Sequence, residues 1–158
     1  MKKQPDYQSM AAECIAHVVR EGRDLSALPQ TNNPQDAARV AAMAVVAQGK
    51  PGRENIGVIS LNSRNRIVGV KVVSTGTVNQ AQCYPRDIAA AALAVGAVGI
   101  VLFHNHPSGQ ALPSHEDIET TARLRDTMRP LDISVHDHLI IGGNTFYSVT
   151  AAQEFPIE

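Results

Sequence analysis

The segment HNHPSGQALPSHED, residues 104–117, constrains the fold of this chain more than any other. It directly follows the run from Val98 to Phe103, which is short, uncharged and apolar, as a buried strand is. Residues two apart on a strand face the same side, so His104 and His106 point in one direction. Pro and Gly then favour a turn, and Ser114 can open a helix. The sequence therefore predicts a strand–turn–helix unit with two imidazoles at the carboxyl end of the strand, where open α/β sheets place their sites.

The same segment contains a candidate metal site. Asp117 lies in the first turn of the predicted helix and can turn back as a third ligand beside His104 and His106. Two imidazoles and one carboxylate leave the fourth tetrahedral position open, which is typical of catalytic rather than structural zinc. A second interpretation needs no metal, because Ser114 and Asp117 also have the S-x-x-D spacing of a helix capping box.

The patterns on either side of this segment predict a layered, mixed α/β domain. Continuous or alternating apolar runs predict strands over residues 55–61, 66–74, 98–103, 133–141 and 145–149. Helical spacing of apolar residues predicts helices over 5–21, 33–48, 85–96 and 114–128. We expect residues 1–49 to form an N-terminal helical extension and residues 50–158 to form the domain that contains the candidate site.

Composition narrows the classes of function and location. With 158 residues, 44% hydrophobic and 18% charged, the chain has the size of one globular domain. The net charge of −1 provides no overall basic field to attract nucleic acid. Three Tyr, three Phe and no Trp are too few aromatic residues for a platform on which bases stack. Cys14 and Cys83 do not make a disulfide framework and are expected as small buried side chains in a reducing cytosol. No secretory signal and no apolar stretch of ~20 residues is present, so we expect a cytoplasmic protein without a membrane partner.

These motifs resemble the signature of the JAMM (MPN-domain) metalloproteases, in which His-x-His-Pro is followed at fixed spacing by Ser and Asp. Here Ser114 and Asp117 stand eight and eleven positions after His106. The chain is similar to the RadC-like branch in particular. This similarity lies in the sequence of residues 104–117, in YPRD at 84–87 and in DHLIIG at 137–142. This resemblance covers roughly residues 50–150. It implies a three-layer α/β/α sandwich with a mixed sheet, similar to that of cytidine deaminases.

The resemblance also implies a role for each residue of the motif. His104, His106 and Asp117 would bind Zn²⁺. Glu54, just before the first predicted strand, would act as the general base that takes a proton from the metal water and passes it to the leaving amine. Ser114 would donate a hydrogen bond to the tetrahedral oxyanion, a contribution of about 3–4 kcal/mol. The expected activity is hydrolysis of a peptide or isopeptide bond in a peptide or a protein conjugate.

Other residues near the motif have less direct expectations. His138 matches the RadC-like pattern and would support the metal site by contacting a ligand rather than the metal. Arg86 would either bind substrate or form a salt bridge near a helix start. Ser108 and Asn105 lie beside the predicted metal loop and are expected to shape it rather than react. His136 stands where the pattern has a leucine, and we expect it at the surface or the rim.

The same residues bear on three alternative functions. Deamination is excluded, because zinc deaminases need H-x-E and P-C-x-x-C, whereas this chain has His-Asn-His and two distant cysteines. A role in DNA repair or processing is associated with the RadC-like branch, whose larger members carry a helix-hairpin-helix region. The first 50 residues show no clear hairpin of that type. A non-catalytic binding module is the third alternative, although such MPN domains usually lack the ligands.

Overall fold

The computed structural model describes residues 30–77 and 81–157, and its framework is one six-stranded sheet. The strands are β1 (Asn55–Leu61), β2 (Ile67–Thr75), β3 (Gly99–Asn105), β4 (Ser134–Gly142), β5 (Thr145–Ser148) and β6 (Gln153–Pro156). The helices are α1 (Pro34–Gln48), α2 (Pro85–Ala94) and α3 (His115–Met128), the last followed by a 3₁₀ turn, Arg129–Leu131. The helix expected over residues 5–21, together with Cys14, lies outside the described residues.

The sheet is mixed, with the strand order β2-β1-β3-β4-β5-β6. Only β3 and β4 run parallel, and α3 makes the crossover between them; all other neighbouring strands are antiparallel. A parallel pair needs a crossover of this kind, and it puts the start of α3 beside the carboxyl end of β3. The edge strand β6 was not predicted, because Phe155 is the one large apolar residue in its sequence, QEFP, and it shows no alternating pattern.

Helices cover both faces of the sheet, which confirms the predicted α/β/α layering. On one face the alanine-rich side of α1 packs against apolar side chains of β1, β3 and β4, among them Ile59, Phe103 and Leu139. On the other face Ile88 of α2 and Leu124 of α3 pack over β1 and β3. Helix α1 falls within residues 1–49, which we expected to be an extension, yet it lies against the sheet as one of the three layers.

Local signals explain where the first described helix begins. Asn33 caps α1, since its side-chain oxygen accepts a hydrogen bond of 2.9 Å from the backbone N–H of Asp36. Pro34 follows at the first helical position, where its missing N–H has no cost. The Asn-Pro pair therefore accounts for the start of this helix. None of the described helices combines the length and apolarity needed to cross a bilayer.

Candidate metal centre

Four side chains from three elements converge at the carboxyl end of β3. Glu54, His104, His106 and Asp117 each present one ligand atom, and these atoms lie within 4.8 Å of one another. The two histidine Nε2 atoms are 2.9 Å apart. The Asp117 oxygens lie 3.4 Å from each of these nitrogens, and Glu54 Oε1 lies 3.8 Å from Nε2 of His104. The metal ligands predicted from the sequence are therefore brought together, with Glu54 beside them.

The antiparallel register of β1 and β3 explains how Glu54 reaches the cluster. Ile56 pairs with His104, so the residue two positions before Ile56 lies next to the end of β3. His104 is in β3 and His106 follows directly after its last residue. Asp117 is in the first turn of α3. The cluster thus depends on one strand pairing and one crossover, and both are fixed by the buried sheet.

Hydrogen bonds behind the cluster assign the tautomer of His104. Thr121 Oγ1 donates to the backbone oxygen of Asp117 at 2.8 Å, so this hydroxyl accepts from Nδ1 of His138, 2.6 Å away. His138 then has an unprotonated Nε2, which accepts from Nδ1 of His104 at 2.7 Å. Nε2 of His104 is consequently the nitrogen that faces the cluster, as the Nδ1–H tautomer of a metal ligand requires.

His106 is fixed in the same tautomer by a different partner. Its Nδ1 lies 2.9 Å from the backbone oxygen of Gln110, which can only accept, so Nδ1 carries a proton and Nε2 faces the cluster. The contact with Asp117 raises the pKa of His106. When both rings are neutral, two lone pairs face each other across 2.9 Å with carboxylates on their flanks. This arrangement is repulsive without a cation between the groups, and two nitrogens with carboxylate oxygens are donors that Zn²⁺ prefers. The donor set therefore fits a zinc ion.

The capping box predicted as the alternative to metal binding is also present. The Ser114 N–H donates to Asp117 Oδ2 at 2.8 Å, and the Asp117 N–H donates to Ser114 Oγ at 3.1 Å. One carboxylate therefore both closes the cap of α3 and faces the two imidazoles. Because Ser114 Oγ is the acceptor in this box, its hydroxyl proton is available to a group in the adjacent cavity.

Burial and neighbouring charges set the ionisation of the cluster. Burial raises the pKa of Glu54, and the nearby His104 and His106 only partly oppose this. Burial would also raise the pKa of Asp117, but its contacts with the same imidazoles outweigh burial and hold that pKa well below its usual range. Full burial, followed by the charge of His104, lowers the pKa of His138, which is consistent with its neutral tautomer. The two carboxylates thus differ: Asp117 is held ionised, whereas Glu54 binds protons more readily.

The side chain of Asn105 forms a clamp: its two hydrogen bonds hold the backbone on either side of Glu54. Asn105 Oδ1 accepts from the Asn55 N–H at 2.8 Å, and Asn105 Nδ2 donates to the Arg53 oxygen at 2.9 Å. The residues immediately before and after Glu54 are therefore both tied to the end of β3. Asn105 shapes the site, as expected, through these two bonds.

A cavity of about 610 Å³ opens beside the cluster. Ser108 is exposed in its wall, and its hydroxyl accepts from the Gln110 N–H at 3.3 Å, a bond within the loop. Arg86 is not among the described residues of the wall; its side chain is 81% exposed and lies 3.8 Å from Asp87 of its own helix. The salt bridge expected as one role of Arg86 is present, and substrate binding stays a prediction. His136 is exposed, as predicted.

Three groups in the site were not found by sequence reasoning. Thr121 completes the chain of hydrogen bonds behind His104; its position four residues after Asp117, on the same helical face, was a signal for it. Arg123 lies in the cavity wall two residues further along α3, and no motif marks it. The Gln110 acceptor is a backbone oxygen, for which side-chain identity gives no signal.

Comparison with known proteins agrees with the motif and the fold. Residues 31–154 match the RadC-like JAB domain family. The chain is 38% identical over 121 residues to a UPF0758 protein of Desulfitobacterium hafniense, which covers 77% of this chain and 52% of that protein. It is 42% identical over 117 residues to a UPF0758 protein of Clostridium kluyveri, with 74% and 50% covered. A UPF0758 protein of Carboxydothermus hydrogenoformans is 34% identical over 152 residues, with 94% and 66% covered.

Most of these relatives are longer than this chain, which spans about half the length of the first ones it matches. The matched region begins at residue 31 and so includes α1, the helix that packs on the sheet. It also includes all four residues of the cluster and Ser114. The chain therefore belongs to the RadC-like branch of the JAMM (MPN-domain) family.

Proposed function

We propose that this chain is a zinc-dependent hydrolase that cleaves an amide bond, either a peptide bond or an isopeptide bond in a protein conjugate. The observation that carries the proposal is the cluster of Glu54, His104, His106 and Asp117 at the edge of an open cavity. A structural zinc site is closed by four protein ligands and has no need of a cavity. Here a substrate can reach the cluster from the cavity side.

In this proposal His104, His106 and Asp117 hold the Zn²⁺ ion. When bound, zinc polarises a carbonyl oxygen and lowers the pKa of a coordinated water toward ~7. The protein turns Nε2 of both imidazoles toward the metal position through the contacts of Nδ1 with His138 and with the Gln110 oxygen. The contact with Asp117 raises the pKa of His106, so zinc would compete with a proton at that nitrogen. The ionised state of Asp117 favours metal binding over protonation.

Glu54 is the proposed proton carrier. Its oxygen lies 3.8 Å from His104 Nε2, beyond hydrogen-bonding distance, so it borders the cluster without being tied to it. Burial raises its pKa, which brings the carboxyl group closer to neutral pH, where one group can serve first as a base and then as an acid. The clamp by Asn105 holds the backbone on each side of this carboxylate. Glu54 would take a proton from water and deliver it to the leaving nitrogen.

Ser114 is the proposed oxyanion donor. Its oxygen is already an acceptor within the capping box, which fixes the side chain and leaves the hydroxyl proton directed elsewhere. The residue lies in the cavity wall beside the cluster. A donor fixed before reaction contributes to catalysis because no reorganisation is needed as negative charge develops on the carbonyl oxygen.

The test combines zinc stoichiometry with cleavage assays on a peptide library and on ubiquitin-like fusion proteins. We expect one zinc per chain and hydrolysis by the wild type. Glu54→Gln should retain zinc and lose hydrolysis, whereas Glu116→Gln, at another acid in the cavity wall, should retain both. Full activity of Glu54→Gln would contradict the mechanism. A zinc-loaded wild type that cleaves nothing in either panel would favour the non-catalytic metal-binding module.

The DNA-processing alternative gains no support from the charges around the cavity. Its described wall contains the acids Glu54, Glu116 and Asp117 against one arginine, Arg123. A polyanionic backbone would meet mostly like charge there. Salt-dependent DNA binding near physiological ionic strength would favour this alternative over the hydrolase.

A further inference from the structure

Charge in the cavity is distributed unevenly along helix α3. Glu116 and Asp117 lie at the start of the helix next to the cluster, and Arg123 lies in the wall about two turns further on. Among the described residues of the wall, Arg123 is the only lysine or arginine. The cavity is therefore negative at the cluster and positive at one distant point.

Arg123 faces the cavity because of its position on the helix. Glu116, Thr120 and Arg123 are spaced i, i+4, i+7, so they form one stripe, and all three line the cavity. The residues of the buried stripe, Thr121 and Leu124, point toward the sheet instead. Arg123 is exposed, and no hydrogen bond or ion pair joins its guanidinium to a described residue. Its positive charge is thus available to a ligand.

The other residues of the lining place Arg123 in a cavity rather than on an open surface. Residues 81–85 line the cavity together with Arg123 and Thr120. Cys83 and Arg123 line the same cavity, Arg123 from α3 and Cys83 from the wall formed by residues 81–85. Tyr84, which is hydrogen-bonded to Gln82, adds a ring in the same wall. An extended chain lying between this wall and α3 would pass Arg123.

Helix geometry gives the distance between Arg123 and the cluster. Six residues separate Asp117 from Arg123, a rise of about 9 Å at ~1.5 Å per residue. An extended peptide advances about 3.3 Å per residue, so the same distance spans about three residues of substrate. The reach of the arginine side chain widens this to about two to four residues.

We propose that Arg123 determines substrate specificity by binding a carboxylate that lies about two to four residues from the bond to be cleaved. This inference rests on the proposed amide hydrolase function and names its substrate class, an acidic peptide segment. A guanidinium binds carboxylate with two parallel hydrogen bonds, which fixes the position of the ligand as well as its charge. The carboxylate can come from an Asp or Glu side chain or from a free C-terminus.

The specificity test uses a peptide library with mass-spectrometric mapping of cleaved bonds, with C-termini supplied both free and amidated. We expect the wild type to prefer Asp or Glu at one fixed distance from the cleaved bond. For a matched pair of peptides that differ by Glu and Gln at that position, Arg123→Gln should lower kcat/KM about 10- to 100-fold for the acidic peptide and leave the neutral one unchanged. Arg123→Glu should shift the preference toward Lys or Arg.

Arg129→Glu provides the matched charge-reversal control. Arg129 follows α3, its side chain is 76% exposed, and it pairs with Asp126 outside the cavity. This variant should keep the wild-type preference. A preference that is lost only when all C-termini are amidated identifies the terminal carboxylate as the ligand. An unchanged cleavage profile in Arg123→Gln would overturn the proposal.

A peptide-binding measurement distinguishes failure of this inference from failure of the proposed hydrolase function. Zinc-loaded Glu54→Gln should bind the acidic peptide more tightly than its glutamine match, and the additional change Arg123→Gln should remove the difference. That result would support the role of Arg123 even if the wild type cleaved nothing. Equal binding of the two peptides by Glu54→Gln would overturn it, as would an effect of Arg123→Gln on oligonucleotide binding alone.

Discussion

Nδ1 of His104 lies 2.7 Å from Nε2 of His138, and this contact joins the cluster to the buried face of α3. The connection continues from His138 to Thr121 Oγ1 and from there to the backbone oxygen of Asp117. Two of the proposed ligands, His104 and Asp117, are thus linked to each other behind the site. The orientation of the imidazole and the position of the helix start depend on the same three hydrogen bonds.

The first prediction concerns the hydroxyl of Thr121. Thr121→Val keeps the shape of the side chain and removes the acceptor for His138, so the tautomer of His104 is no longer fixed. We expect zinc affinity to fall about 10- to 100-fold, as for other changes behind metal-bound histidines. Competition with a chromophoric chelator measures this affinity directly, without an activity assay.

Two control variants accompany this change. Thr121→Ser retains the hydroxyl and should retain most of the affinity. Thr127 is an exposed threonine of the same helix, and its hydroxyl also donates to a backbone oxygen, that of Arg123 at 2.9 Å. Thr127→Val should therefore leave zinc binding unchanged. Equal affinities in the wild type and Thr121→Val would refute the role given to this chain of hydrogen bonds.

The second prediction separates the two roles of Ser114. Ser114→Ala removes a helix cap, which should lower the free energy of unfolding by about 1 kcal/mol. It also removes the proposed oxyanion donor, which should lower kcat about 10²- to 10³-fold. Denaturant unfolding and hydrolysis rates measure the two effects, and Ser114→Thr should largely restore both.

Asn33→Ala is the matched control for Ser114→Ala. Asn33 caps α1 through the same kind of hydrogen bond, 2.9 Å from the Asp36 N–H, on the other face of the sheet. It should lose a similar stability and keep full activity. If both variants lost activity in proportion to stability, Ser114 would be only a cap.

The third prediction concerns the clamp that Asn105 forms around Glu54. Asn105→Ala removes the bonds to Asn55 and Arg53, so the backbone on both sides of Glu54 is freed. We expect zinc to be retained and kcat to fall by about 10²-fold, the order of loss that follows a ~1 Å displacement of a reacting group. Asn105→Asp keeps the acceptor for Asn55 and should show an intermediate rate. Unchanged kcat in Asn105→Ala would exclude this positioning role.

Local features of the fold were predictable from the sequence, because their causes are local. The limits of β1 follow from the apolar side chains on both of its faces, and the starts of α1 and α3 follow from Asn33 and Ser114. Strand β3 was predicted to end at Phe103 but continues to Asn105. Polar side chains at the end of a strand look like a loop in sequence, although here the polar residues are part of the site.

Features that depend on register could not be predicted. His138 reaches His104 because it pairs with Leu102 in the parallel ladder, diagonally beside His104 on one face of the sheet. The sequence specifies neither this pairing nor that of Ile56 with His104, which brings Glu54 to the cluster. Glu54 was therefore identified only by resemblance to the family, whereas His104, His106 and Asp117 were evident from their spacing.

The fourth prediction uses the thiol of Cys83 as a probe of the cavity wall. Burial raises the pKa of Cys83 to about 11 from the ordinary value of 9.0. At pH 8 about one thiol in a thousand is then ionised, so alkylation in the Cys14→Ser variant should be slow and should accelerate on unfolding. The Cys83 thiol loses its proton at a higher pH in the folded state than in the unfolded state. Its contribution to the free energy of unfolding is therefore constant below pH 9 and falls as the pH rises toward 11. Cys83→Ala should flatten this fall, and a thiol of Cys83 that reacts rapidly at pH 8 would contradict it.

The fifth prediction tests whether Asp117 acts on both the helix and the metal. Asp117→Asn keeps an oxygen that accepts from the Ser114 N–H, so the cap of α3 should survive, but it removes the charge that faces the imidazoles. At a zinc concentration 100 times Kd, we expect the wild type to gain about 2.7 kcal/mol in free energy of unfolding. The variant should gain far less at the same zinc concentration.

The acid dependence of the metal-free protein gives an independent measure of the same carboxylate. Because the pKa of Asp117 in the folded state lies below its ordinary value of 3.8, its ionised form stabilises the fold above about pH 4, and this contribution is lost as the pH falls. Asp117→Asn should lack that loss. Asp36→Asn, at the acid in the first turn of α1, should keep both the zinc gain and the acid dependence of Asp117. If Asp117→Asn gained as much from zinc as the wild type, Asp117 would be a capping residue and not a ligand.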